Sequence, residues 1–185
     1  MQKKQNMRFK NKTGSSVPKK MVSVHSTQEN SEQEKIRKEI SAREMALELL
    51  LLILEQGEYS HRVINKKLNE WNVEKRERAF ATRLCEGTIE RCIELDWILS
   101  AYSKTPISKM KPVIRTLLRM SVYQIKYMSQ VPDSAVCNEA VKLAKKKGFQ
   151  GLSGFVNGVL RTIIREHVTV YPDIEKEPLK SMHLV

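Results

Sequence analysis

The sequence predicts an all-α fold, a compact bundle of about six or seven helices. Three observations lead there. In successive segments between residues 31 and 167, apolar residues recur at the three- and four-residue spacing of a helix face. The breaks between those segments hold capping boxes, prolines and glycines where helices start and stop. No run alternates β-branched residues between hairpin turns, so nothing reads as a strand.

The first helix has two candidate starts, because "SEQE" at Ser31 and "SARE" at Ser41 are both capping boxes with a glutamate three residues after the serine. The second start carries the core: Met45, Ala46, Leu49, Leu50, Ile53 and Leu54 share a face, and Gly57 closes the helix. A short helix follows from about Ser60 to Trp71, with Asn72 as the next cap. From Val73, the positions Ala81, Leu84, Cys85, Thr88, Cys92 and Leu95 keep helical spacing, with a division into two helices near Arg91 and a bend or close crossing at Gly87. Pro106 stops this run. Pro112 sits where a first-turn proline is tolerated, ahead of Val113, Ile114, Leu117, Leu118, Val122 and Ile125, and that helix is expected to be central. Pro132, Asp133 and Ser134 open another helix, which ends in Lys145, Lys146, Lys147 and Gly148. The lysine run reads equally as C-terminal capping or as a phosphate contact. A loop from Gly148 to Gly154 leads into a last helix, expected to run to about His167.

With 185 residues the chain can hold one ordinary domain plus tails. Residues 1–30 are polar and broken by Gly14 and Pro18, and read as a disordered basic arm. Residues 31–167 form the helical domain, and 168–185 a tail or truncated linker. The formal charge of +12 favours polyanions, nucleic acid before membrane. Its distribution is uneven: Lys3, Lys4, Arg8, Lys10, Lys12, Lys19 and Lys20 supply +7 with no acid among the first twenty residues, which leaves +5 for the remainder. The arm adds salt-sensitive, non-specific attraction. No apolar run reaches the length of a signal core or a membrane span, which places the protein in the cytoplasm with no membrane partner. Cys85, Cys92 and Cys137 form no CxxC pair and read as small buried hydrophobes, and the scattered histidines offer no metal site.

No catalytic constellation emerges. The glycines at 148, 151, 154 and 158 make neither GxGxxG after a strand nor a phosphate-binding loop, so no cofactor is expected. Cys137 stands near Ser134, Asn138 and Glu139 without a neighbouring histidine, which is no nucleophile and base. Glu44, Glu86, Glu90, Glu94, Asp96 and Glu139 each lie near basic residues in sequence and read as solvated ion pairs.

The stretch "SGFVNGVLR", Ser153 to Arg161, has two glycines inside a helical apolar stripe, although glycine in a helix costs about 1 kcal/mol against alanine. Gly158 reads most simply as permitting a close helix crossing, and Asn157 as satisfying backbone groups at a bend. Phe155 reads as core or as a ring offered to a ligand.

Taken in order, "SAREMALELL", "RAFATRLCEGTIERCIELDWIL", "PVIRTLLRMSVYQIKYMSQVPDSAVCNEAVKLAKKKG" and "GFVNGVLR" resemble the NusB-like RNA-binding domain over about residues 41–167. The version with "RAFATRLCEGT", "LRMSVYQIKYM" and a terminal arginine after "GFVNGVL" is similar to the domain at the N-terminus of bacterial 16S rRNA cytosine-5 methyltransferases. The resemblance implies a helical module that binds rRNA. The basic start of the first helix, here Lys35, Arg37, Lys38 and Arg43, would meet RNA, and Phe155 would contact a base. It implies as partner a ribosomal protein, or a separate methyltransferase catalytic domain. The methyltransferases continue into a domain that binds S-adenosylmethionine and carries the catalytic cysteines, whereas residues 168–185 resemble only a connecting segment. The chain is therefore expected to be non-catalytic, positioning rRNA rather than modifying it. The alternative is a stand-alone transcription antitermination factor.

Overall fold

Successive helices are set by local signals and then gathered around one of their number. A computed structural model of the chain describes residues 40–71 and 73–166. The basic arm 1–30, the capping box at Ser31, the cations Lys35, Arg37 and Lys38, the cap Asn72 and the tail 168–185 lie outside the described residues. Within them are seven α-helices: α1 (Ala42–Leu54), α2 (Ser60–Glu70), α3 (Lys75–Glu90), α4 (Cys92–Tyr102), α5 (Pro112–Tyr127), α6 (Asp133–Lys146) and α7 (Ser153–Glu166). Two short 3-10 turns, Ile107–Lys109 and Gln150–Leu152, complete the set, and no strand occurs among the described residues.

Most helix ends fall where the sequence signals put them. Ser41 Oγ accepts a hydrogen bond from the Glu44 N–H at 3.3 Å, the first half of the capping box. The Glu44 carboxylate turns to Lys146 and Lys147 instead of reaching back to the cap, and the next donor, the Ala42 N–H, is taken by Glu77 of α3 at 3.2 Å. Gly57 takes φ +74° just beyond α1, a conformation that a β-carbon disfavours, and Gly148 does the same after α6 at +84°. The α3–α4 division falls at Arg91, whose φ −98° and ψ 13° interrupt the helical run. The cap position of α3 is Glu74, which makes no side-chain cap bond.

α5 is the central helix, packing against α1, α3, α4, α6 and α7. Ile114, Leu117, Leu118, Met120 and Val122 are almost wholly buried on it, so truncating one of the leucines to alanine costs about 2–5 kcal/mol. Its remaining faces are buried too, and their polar groups are matched as burial requires. The Ser121 hydroxyl donates to Leu117 O at 2.8 Å, and Arg119 makes two 2.6 Å bonds to Asp96 of α4. Gly87 marks the α3–α5 crossing, where the Tyr123 ring occupies the space a side chain would need.

Candidate nucleic-acid interface

Arg43 stands in the first turn of α1, and three helices fix it. Its Nε donates to Gln124 Oε1 of α5 at 2.7 Å, and its guanidinium lies over the Phe80 ring of α3, 5.1 Å from the centroid. Burial pushes its pKa down, while the charges of Glu139 and Glu77 pull it up. The ring contact of Arg43 is thus with Phe80, not with Phe155. Phe80 and Gln124 are the positioning residues that sequence reasoning missed. A glutamine in the otherwise apolar stripe of "VYQIKY" was the available signal, since a buried amide needs a partner.

The lysine run has a role that neither sequence reading contained. Lys146 Nζ lies 2.7 Å from Glu44, and Lys147 Nζ lies 3.1 Å from Glu44 and 2.8 Å from Glu48, so the end of α6 is clamped onto α1. Burial works to lower the Lys147 pKa, but hydrogen bonds to Glu48 and Glu44 outweigh it and leave the group raised. Lys145 is exposed. The reading of the carboxylates as solvated pairs also fails for two of them. The Glu44 and Glu94 side chains are only 5% and 8% exposed, and their nearest cations come from other helices, although Arg91, three residues before Glu94, also lies 3.7 Å from it. Glu94 receives Lys126 and the single O–H of Tyr127, which stands 2.6 Å from both carboxylate oxygens, with the Arg91 guanidinium over the Tyr127 ring. Folding brings together charges that sequence adjacency had assigned to the wrong neighbours.

α7 answers the question raised by its glycines, against the expected crossing. Val156, Val159, Leu160 and Ile163 face the core, which turns Gly154 and Gly158 to the opposite, exposed side. A β-carbon built on either glycine meets nothing within 4 Å, so neither permits a close packing contact. Asn157 satisfies no bend: its Oδ1 accepts from Arg161 Nε at 3.1 Å, one turn along a continuous helix. Phe155, in the first turn, is half-buried and packs against the core while keeping part of its ring accessible.

Burial disfavours the thiolate at all three cysteines. Burial pushes Cys85 up to about 12 and raises Cys92 and Cys137, so all three stay protonated at neutral pH.

The model of the NusB family matches residues 40–165. The chain belongs to the NusB family. The matched span starts at the entry to α1 and ends inside the last turn of α7, so the NusB domain is the seven-helix bundle described above. The chain is 37% identical over 145 residues to the probable ribosomal RNA small subunit methyltransferase B of Bacillus subtilis (strain 168), covering 78% of this chain and 32% of that protein. It thus spans about a third of that relative's length. It is 33% identical over 147 residues to the transcription antitermination protein NusB of Thermodesulfovibrio yellowstonii, covering 73% of this chain and 97% of that protein. A chain in the crystal structure of the antitermination factors NusB and NusE in complex with dsRNA shares the fold with a TM-score of 0.63 at 25% identity, covering 68% of this chain and 94% of that one. The motif resemblance to NusB is confirmed, and its relatives include both methyltransferases and antitermination factors.

Proposed function

We propose that this NusB-family domain binds single-stranded rRNA through the start of α1 and the first turn of α7, and serves as the non-catalytic, RNA-positioning part of an rRNA methyltransferase. The observation that carries the reading is the exposed side of α7. Phe155 offers part of a ring beside two glycines whose β-carbon positions face open space, so the helix surface is kept flat without any packing reason. A flat helix face next to an aromatic ring suits a stacked, splayed-out base, which can then approach the backbone. Arg43, with Lys35, Arg37 and Lys38 ahead of it in sequence, supplies phosphate contacts, and the arm adds counterion release in the cytoplasm.

A second reading has its own support. The domain matches nearly the whole of an antitermination NusB, and the solved neighbour contains NusB with NusE and dsRNA. On that reading the chain is an antitermination factor that holds RNA together with a ribosomal protein. Pull-down with an isolated methyltransferase catalytic domain and with NusE separates the two. Retention of the catalytic domain supports the first reading; tight RNA binding only in the presence of NusE supports the second.

A further inference from the structure

On the outer side of the bundle, α6 and α7 form an open groove of about 470 Å³ lined by Asn138, Val141 and Lys142 from α6 and by Ser153, Gly154, Asn157 and Arg161 from α7. Helical spacing puts Phe155 on the other flank of α7, with Gly154 and Gly158 between. Among the described residues no carboxylate lines it. Arg161 is exposed, its Nε donates to the neutral Asn157, and no carboxylate among the described residues pairs with it; Lys142 is paired along its own helix with Glu139 at 2.8 Å. Two carboxamides, one from each helix, supply donors and acceptors of the kind that meet base edges. Gly154 lines the wall with bare backbone, and a side chain at that position would project into free space.

We propose that this groove is a second RNA subsite, holding a nucleotide of the same strand after it crosses the bare Gly154–Gly158 side of α7 from Phe155. Arg161 meets its phosphate, and Asn138 and Asn157 face its base. The proposal rests on the RNA-binding reading above and extends it to residues that reading does not use. Charge complementarity selects the occupant: a cationic wall with two amides and no acid suits a polyanion that presents base edges. The groove volume lies within the ~300–1,000 Å³ of ligand sites, and its open form suits a segment of a longer strand rather than an enclosed small molecule. The subsite also accounts for Gly154. A larger residue there would be tolerated by the fold and would block the strand.

The test uses the full chain and a fluorescein-labelled 12-nucleotide single-stranded RNA of mixed sequence, with affinity read by anisotropy from low to moderate salt. Arg161→Glu should weaken binding about tenfold and flatten the salt dependence by about 0.7 in slope, one phosphate contact on a single strand. Arg161→Lys should restore most of the slope, and Gly154→Leu should weaken binding severalfold with no fall in melting temperature. Wild-type affinity and slope in both Arg161→Glu and Gly154→Leu, alongside a loss in Phe155→Ala, would overturn the subsite and leave the RNA reading intact. A wild-type chain that does not bind the RNA at all would remove both.

Discussion

Gly87 and Tyr123 meet at the crossing of α3 and α5 so closely that a β-carbon on Gly87 would stand 2.1 Å from both Cζ and Oη of the tyrosine. The ring cannot retreat freely, because it is buried and its centroid lies 5.3 Å from that of Tyr127. Gly87→Ala is therefore expected to destabilise the fold by about 1–3 kcal/mol through overpacking. Replacing Tyr123 by leucine in the same chain should recover part of that loss. Urea midpoints of the two single variants and the double variant measure it; strictly additive losses would place the strain elsewhere.

Gly158 behaves in the opposite way. It is an exposed helix-interior glycine with nothing within 4 Å of its β-carbon position. Gly158→Ala should stabilise the chain by about 0.5–1 kcal/mol, since alanine loses less backbone entropy on entering the helix. Thermal melting decides it, and an unchanged or lower midpoint would show that the position is not free.

The contrast between these glycines shows how far the sequence could be read. Helix starts and stops rest on local rules, so Ser41, Gly57, Pro112 and Gly148 fell where those rules put them, as did the Arg91 division. The central place of α5 was legible from its density of apolar positions. Contacts between helices were not. Gly158 was read as the crossing because it interrupts a stripe, but a glycine two residues from Val156 and Leu160 points away from the face they share. Sequence offers Lys146 and Lys147 only a helix end or a phosphate, while their partner Glu44 is about a hundred residues away in sequence. For the candidate site, sequence names Arg43 and Phe155 and marks Gln124 only as an amide in need of a partner; it could not supply Phe80 or the α6–α7 groove, since each depends on which helices become neighbours.

The buried carboxylate of Glu94 makes stability depend on pH. Burial alone would raise its pKa, but the hydrogen bonds of Lys126 and Tyr127 and the charges of Lys126 and Arg91 hold it below the ordinary 4.5. A group depressed in the folded state contributes stability that is complete above its unfolded pKa and fades as pH falls through the folded value. The chain should thus lose stability below about pH 4.5. Glu94→Gln should be less stable at pH 7, by about 1–3 kcal/mol, and show a shallower decline on acidification. Denaturant midpoints between pH 3 and 7 check it; parallel curves for the two proteins would assign the acid sensitivity to other carboxylates.

Lys147 predicts a change at the other end of the scale. Its pKa is raised above 10.5 by Glu48 and Glu44. The stabilisation is full below the unfolded value and is lost as pH rises through the folded one. Lys147→Met, which keeps the aliphatic stem, should remove its ion pairs with Glu44 and Glu48 at pH 7, leaving Lys146 on Glu44, and abolish that part of the alkaline decline. Melting curves at pH 7 and above pH 10 measure both effects, and an alkaline decline as steep as in the parent chain would count against the clamp.

Phe155 and Arg43 separate binding from scaffolding. Phe155 is half-buried, so Phe155→Ala should lower the melting temperature less than truncating a fully enclosed ring, whose loss costs about 3–5 kcal/mol. If its accessible edge stacks on a base, RNA affinity should fall by about 1–3 kcal/mol at temperatures where the variant is fully folded. Arg43→Ala acts on both counts, because it leaves the buried Gln124 oxygen without its donor and Phe80 without its cation. A cost of about 1–3 kcal/mol in stability is expected from the unpaired amide alone. Its effect on RNA should be uniform across sequences, since a phosphate contact carries no base information. Melting temperature and RNA affinity measured on the same preparations resolve the two roles. A Phe155→Ala chain that melts like a core mutant yet binds RNA normally when folded would make the ring scaffold only. An Arg43→Ala chain that is destabilised but binds every RNA as before would confine Arg43 to holding α1 against α3 and α5.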